Sequence, residues 1–260
     1  MTPLKPVWWR VIMKRGRLLA GISLLLPLLI WQLISQWGGL PAFLLPSPLL
    51  VADRFFSVLS DGSLLYHTGF TLLEVLCGLA LGSGLATVTG YALARSPFLE
   101  RLISPYLVAS QAVPVVAIAP LLVIWFGPGL FSKMLVCALI VFFPVLVNTV
   151  VGLRAVPQNL RDLMVSLRAS PMQILRHLEI PAALPVLLGG LRIGATLSVI
   201  GAVVGEFVGA DRGLGFMVNV GRGRYDTALV FVAILTLVAL ALALYGVVVF
   251  IEKRLLRWEK

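Results

Sequence analysis

Charge is what this sequence has least of. Only 12% of its 260 residues are Asp, Glu, Lys or Arg, against roughly 25% in an ordinary soluble domain. Reactive side chains are scarce too, with two Cys and two His. Cys77 and Cys137 both fall inside apolar runs, which reads as small buried side chains and excludes a disulfide framework or a thiolate metal site. His67 and His177 stand far apart without ligand-like neighbours. The chain has no GxxxxGK[ST], HExxH or GxSxG pattern, so it carries no phosphate-binding loop with which to hydrolyse ATP itself and no recognisable catalytic constellation. No cofactor is expected in this chain.

What is abundant is apolar residue in long runs. The hydrophobic fraction is 60% and the mean hydropathy +1.02. Six runs approach the roughly 20 residues that an α-helix needs to cross the hydrocarbon core. They are Leu18–Gln36, Thr71–Ala94, Tyr106–Trp125, Lys133–Leu153, Val186–Phe207 and Ala228–Ile251. The fold expected is therefore all-α, a polytopic membrane protein forming one domain over residues 1–260. Basic residues precede the first run as in a signal peptide, but Gln32, Ser35 and Gln36 offer no good small-x-small cleavage site. It reads as a retained first helix.

The charge that remains is one-sided, with 21 Lys and Arg against 11 Asp and Glu. These cations lie between apolar runs, where positive-inside sorting accounts for them and nucleic-acid binding does not. With the N-terminus inside, the inner segments hold Lys5, Arg10, Lys14, Arg15 and Arg17, then Arg95 and Arg101, then Arg154, Arg161, Arg168 and Arg176, and last Lys253, Arg254, Arg257 and Lys260. The outer segments hold Arg54, Lys133, Arg212, Arg222 and Arg224. The asymmetry puts both termini, residues 1–17 and the loop at about 154–181 in the cytoplasm. Pro114 and Pro120 interrupt the third span, either as a simple kink or because the span lines a pathway that satisfies the freed carbonyl groups. Gly78 and Gly82, Gly190 and Gly194, and Gly201 and Gly205 are four apart, a spacing that lets helix backbones approach closely.

The loop before the fifth span is too polar to cross a bilayer. Leu160, Leu163, Met164 and Leu167 fall at i, i+3, i+4 and i+7, with Asn159 as N-cap and Asp162 in the first turn. Ser170-Pro171-Met172-Gln173 opens a second short helix with Ser at the N-cap, Pro at N1 and Gln at N3, a capping box. Ile174, Leu175 and Leu178 form its stripe, and Pro181 and Pro185 are expected to end it. Helices this short are unstable alone. Their apolar faces require either a lipid interface or a protein groove.

The segment VPQNLRDLMVSLRASPMQILRHLEIPAALPVLLGGLRIG resembles the EAA loop of binding-protein-dependent ABC importer permeases. Asp162, Leu163 and Met164 occupy the acidic-Ala-Ala triplet, and Arg168 stands at the family's Gly. Ala169, Ser170, Gln173, Pro181, Ala183, Pro185 and Gly190 match. LPSP at Leu45–Pro48, VPVVAIAPLLVIWFGPG at Val113–Gly129 and GEFVGADRGLGFMV at Gly205–Val218 are similar to the nitrate, taurine and sulfonate branch, which includes transporters of thiamine pyrimidine precursors, riboflavin and bicarbonate. The likeness runs from about Leu44 to Trp258.

The resemblance implies a type I importer permease in a prokaryotic inner membrane. Its expected partners are two cytoplasmic ATPase subunits that bind ATP and Mg, an extracytoplasmic substrate-binding protein and a second permease copy. The solute would be small, anionic or resembling a vitamin precursor. Asp162, Leu163, Met164, Leu167, Arg168, Ala169, Ser170, Gln173 and Ile174 would form the ATPase-coupling loop. Gln111, Pro114, Trp125, Asn148, Thr196 and Glu206 are candidates for the translocation path, with core packing or interface anchoring as the other reading of each. The rival function is a secondary transporter or channel. Buried ionisable residues and inverted repeats would favour it. Glu74 and Glu206 are the acids nearest the central spans, both near span ends, and no inverted repeat is visible.

Overall fold

The computed structural model describes residues 26–256. Helix α1 covers 26–37, followed by α2 (Pro48–Ser60), α3 (Ser63–Arg95), α4 (Pro97–Gln111), α5 (Val115–Phe126) and α6 (Leu130–Arg154). Then come α7 (Gln158–Ser166), α8 (Pro171–Ile174), a π-helical turn at Leu175–Glu179, α9 (Ile180–Phe207), α10 (Leu214–Gly223) and α11 (Thr227–Leu255). Three of these helices begin with the same dipeptide. Ser47, Ser96 and Ser170 are N-caps whose hydroxyls accept backbone N–H groups of Leu50, Leu99 and Gln173, and Pro follows each at the first helical position. Proline loses nothing there, because a first-turn N–H has no intrahelical partner.

Helices α3, α6 and α9 form the centre. The glycines show how they are joined. A Cβ at Gly82 would lie 2.6 Å from the Ala138 carbonyl oxygen, and one at Gly201 would lie 2.7 Å from the Cys137 Cα. Cys137 thus sits where α6 is flanked by α3 on one side and α9 on the other, and it is fully buried. Gly90 approaches Thr149, Gly190 approaches Asn148 and Gly205 approaches Lys133. These pairings run α3 parallel to α6 and α9 antiparallel to both. The glycine faces foreseen in the sequence therefore serve packing within the chain. Helix α11 lies against α9 and α10, with α2 against α11 and Trp31 of α1 stacked on Phe231 at 5.1 Å.

Helices α3, α6, α8–α9 together and α11 are each long and apolar enough to cross a membrane. The expected third span is interrupted at Pro114, one of the two prolines the sequence pointed to. Tyr106–Trp125 is not one helix but the pair α4 and α5, whose axes are bent by 94°. The break is at Pro114, which has extended backbone and precedes the first residue of α5. A proline also steers the residue before it out of the helical region. Pro120 lies inside α5. The expected first span, Leu18–Gln36, falls partly outside the described residues.

Gly201→Ala is expected to destabilise the detergent-solubilised protein by about 1–3 kcal/mol through overpacking against the α6 backbone. Gly84→Ala, where the added carbon meets no atom within 4 Å beyond its own helical turn, is expected to leave the thermal midpoint unchanged or slightly higher. Thermal unfolding of the two variants beside the parent checks this.

Candidate functional sites

Helix α7 follows Pro157, which occupies the N-cap position with no side-chain cap. The expected cap at Asn159 is corrected: Asn159 lies inside the helix, because the fixed φ of Pro157 opens it earlier. Asp162 is accordingly beyond the first turn, where its carboxylate accepts from Gln158 Nε2 at 3.0 Å. Leu160, Leu163 and Leu167 are exposed at 40%, 54% and 69%, while Met164 is half-buried. The apolar stripe of α7 thus has no cover from its own chain.

The helix ends in a complete Schellman motif. Arg168 N–H donates to the Val165 carbonyl at 2.9 Å and Ala169 N–H to the Met164 carbonyl at 3.0 Å. Arg168 is held at φ 56°, in the left-handed region. That conformation explains why the resembling family has Gly there, since the motif needs positive φ and glycine meets it without a Cβ penalty.

The capping box of α8 is formed as expected. Gln173 N–H donates to Ser170 Oγ at 3.3 Å, and Ser170 N–H donates to Gln173 Oε1 at 2.7 Å. Two expectations for this helix are corrected. Ile174 is buried within the chain and Leu175 and Leu178 are half-buried, so this stripe packs internally. Nor do Pro181 and Pro185 end the helix, which continues through the π turn into α9. The altered hydrogen-bond register of the turn leaves Pro181 at a first-turn position of α9, where its missing N–H costs little.

Sequence reasoning missed Glu179. Its carboxylate is buried at 1% exposure between two arginines, Arg95 Nη2 at 2.9 Å and Arg161 Nε at 3.4 Å. Arg161 Nη2 also donates to the Leu153 carbonyl at 2.7 Å, and Arg154 at the end of α6 pairs with Glu100 of α4. The available signal was that Glu179 is the second of only two acids between Arg154 and Ile180, flanked by Leu178 and Ile180.

A second polar cluster occupies the opposite end of the bundle. Thr71 Oγ1 donates to Glu206 Oε1 at 2.6 Å and accepts from Leu214 N–H at 2.8 Å. Gly215 N–H donates to Glu206 Oε2, and Gly213 N–H donates to His67 Nδ1 at 3.0 Å. Three side chains from α3 and α9 therefore receive the N-terminal amides of α10, where a carboxylate is favoured by the helix dipole. Lys133 Nζ lies 3.3 Å from Glu74 Oε1, both almost wholly buried. Beside this pair is a cavity of about 450 Å³ lined by Phe70, Glu74, Leu130, Lys133, Asp211 and Arg212 among others. The Arg212 guanidinium lies 4.6 Å from the Phe70 ring centre and holds the exposed Asp211 carboxyl below its ordinary range by hydrogen bonding.

The six path candidates are not gathered in one place. Gln111 and Pro114 are exposed at the α4–α5 break, and Trp125 is exposed near the end of α5. Asn148 packs on Gly190 and donates to the Pro144 carbonyl at 2.8 Å. Thr196 donates to the Ile193 carbonyl at 2.9 Å. Glu206 is fully buried and holds α10. The buried acids that would have spoken for an ion-coupled carrier are thus engaged in binding helices together.

Replacing Arg168 by Gly removes the left-handed strain and is expected to stabilise the protein by about 1 kcal/mol. Thermal unfolding of Arg168→Gly against the parent reads this as a raised midpoint, and Arg168→Val as a lowered one.

The family model for the binding-protein-dependent transport system inner membrane component matches residues 78–257. The chain is 49% identical to the riboflavin transport system permease protein of Chloroflexus aurantiacus over 92% of its own length and 89% of that protein. It is 36% identical to the formylaminopyrimidine transport permease protein of Halalkalibacterium halodurans, over 91% and 94%. It is 31% identical to the taurine transport system permease protein of Escherichia coli, over 91% and 88%. Among solved structures, an inward-facing methionine ABC transporter shares the fold with a TM-score of 0.64 at 20% identity, covering 73% of this chain and 94% of that one. The chain is a multi-pass membrane permease subunit and belongs to the family of binding-protein-dependent transport system inner membrane components.

Proposed function

We propose that this permease works in an ATP-driven importer, with α7 and α8 as the element on which a cytoplasmic ATPase subunit acts. The observation that carries this reading is the uncovered Leu160, Leu163 and Leu167 stripe on a short helix fixed at its far end by a Schellman motif and a capping box. Such a helix gains stability by lying in an apolar groove. ATP and Mg would be held by two ATPase subunits and not by this chain. The Lys and Arg asymmetry supports placing the α7 end and both termini in the cytoplasm. The α10 end would then meet the substrate-binding protein, where exposed Arg222 and Arg224 suit an acidic surface.

A homodimer of permeases is supported by the α4–α5 break. Its backbone at Ala112–Pro114 and the Gln111 side chain are exposed in the isolated chain. Irregular backbone at membrane depth is tolerated where protein or a water-filled cavity covers it. A second copy facing the first across a pathway supplies both.

Leu163→Asp combined with Met164→Asp would place two carboxylates in the docking groove at a cost of several kcal/mol. The expected result is loss of ATPase subunits on purification with membrane expression retained. The parent complex should have the mass of two permease chains and two ATPases. A well-expressed double variant that keeps its ATPases and transports normally refutes the reading.

For the cargo we propose a flavin or a related nitrogen heterocycle of vitamin metabolism. Support comes from the higher identity to the riboflavin and formylaminopyrimidine permeases than to the taurine permease. Cells that cannot make riboflavin, supplied with this permease together with its ATPase subunits and a flavin-binding extracytoplasmic protein, are expected to take up radiolabelled riboflavin. Uptake of taurine with no competition by riboflavin would overturn the assignment.

A further inference from the structure

No residue of α7 is buried. A helix that receives force from a partner must nevertheless be fastened to what it moves, and packing does not fasten this one. Its side-chain anchorage to the bundle is Arg161. One nitrogen of that guanidinium donates to the Leu153 carbonyl in the last turn of α6, and another faces the buried Glu179 carboxylate at 3.4 Å. Glu179 also takes Arg95, the last residue of α3, at 2.9 Å. Arg95 in turn lies over the Tyr91 ring, 5.4 Å from its centre, which restrains the guanidinium.

The backbone at Glu179 is also unusual. It is the last residue of the π turn between α8 and α9. Single π turns inside α-helices give up regular hydrogen bonding and are frequent at functional positions. The carboxylate that gathers α7 and α3 is therefore carried by the segment through which α8 continues into α9.

We propose that Glu179 is a positioning residue for coupling: by holding Arg161 and Arg95 together it makes α7 move as one body with the inner ends of α3 and α9. The inference rests on the reading of α7 as the ATPase-contacting element. The ion pairs act as a tie and the π turn as the place where the displacement enters α9. A carboxylate buried at this depth persists because both arginines compensate it, and removing one member leaves the remainder uncompensated.

The test uses the whole complex purified with its ATPases, with Cys77→Ser and Cys137→Ala in the permease. Spin labels are placed at Ser166 of α7 and Ile193 of α9, both exposed. Distances are measured by pulsed electron resonance without nucleotide and with ATP and vanadate. In the parent the distribution is expected to be narrow and the same in both states. In Glu179→Gln it is expected to broaden at least twofold or to shift with nucleotide, with ATP hydrolysis retained, and Glu179→Asp is expected to restore it. Glu179→Gln with Arg161→Gln removes the tie without leaving the Arg161 cation unpaired, so it reports even if the single variant fails to assemble. Unchanged narrow distributions in both Gln variants overturn the proposal. A cross-link from Leu163→Cys to the ATPase, made in matched preparations that lack the two label sites, separates the two readings. Its absence in the parent sinks the coupling role of α7 and this inference with it. Its presence with unchanged distances sinks the role of Glu179 alone.

Discussion

Everything in this bundle depends on how closely α6 approaches α3 and α9. At Gly82 and Gly201 the neighbouring backbone stands where a Cβ would have to go. In hydrocarbon, helices gain nothing by hiding apolar surface from one another, since lipid tails are as apolar as leucine. Close van der Waals contact between backbones takes over as the cohesive force. The glycines thus set the register of three helices, and that register decides which polar groups meet at the two ends.

Both ends use buried charge, and they use it differently. At one end Glu206 and Thr71 satisfy the first amides of α10, so a carboxylate substitutes for water at a helix N-terminus. At the other end Glu179 draws together arginines from a membrane helix and from the exposed α7. The first arrangement holds a short helix against the bundle. The second fastens a helix that has no buried residue of its own. A charge removed from water requires compensation, and each cluster draws it from more than one helix. Such clusters therefore fix relative helix positions more strictly than apolar contact does.

The buried acids also bear on the choice between transport mechanisms. Ion-coupled carriers place ionisable side chains where a mobile ion or proton reaches them. Here Glu206 accepts from a hydroxyl and a backbone amide, and one oxygen of Glu74 faces Lys133. These engagements give no support to an ion-coupled mechanism.

The sequence by itself determined what local rules govern. Long apolar runs marked the central spans. Ser170 with Pro171 and Gln173 marked a helix start and its capping box, because these interactions reach only three residues along the chain. The EAA-like pattern located α7 and α8, and the position that family fills with glycine proved to need positive φ. The tertiary structure decided the rest. Pro114 broke a span while Pro120 and Pro185 stayed within helices, since neighbouring helices and local register determine whether a lost donor matters. Ile174 turned inward although its spacing matched that of an exposed stripe. Thr71 lies 135 residues from Glu206 and Arg95 lies 84 residues from Glu179. No periodicity encodes such pairings, because they form only once the glycines of α3 and α9 have set the register against α6.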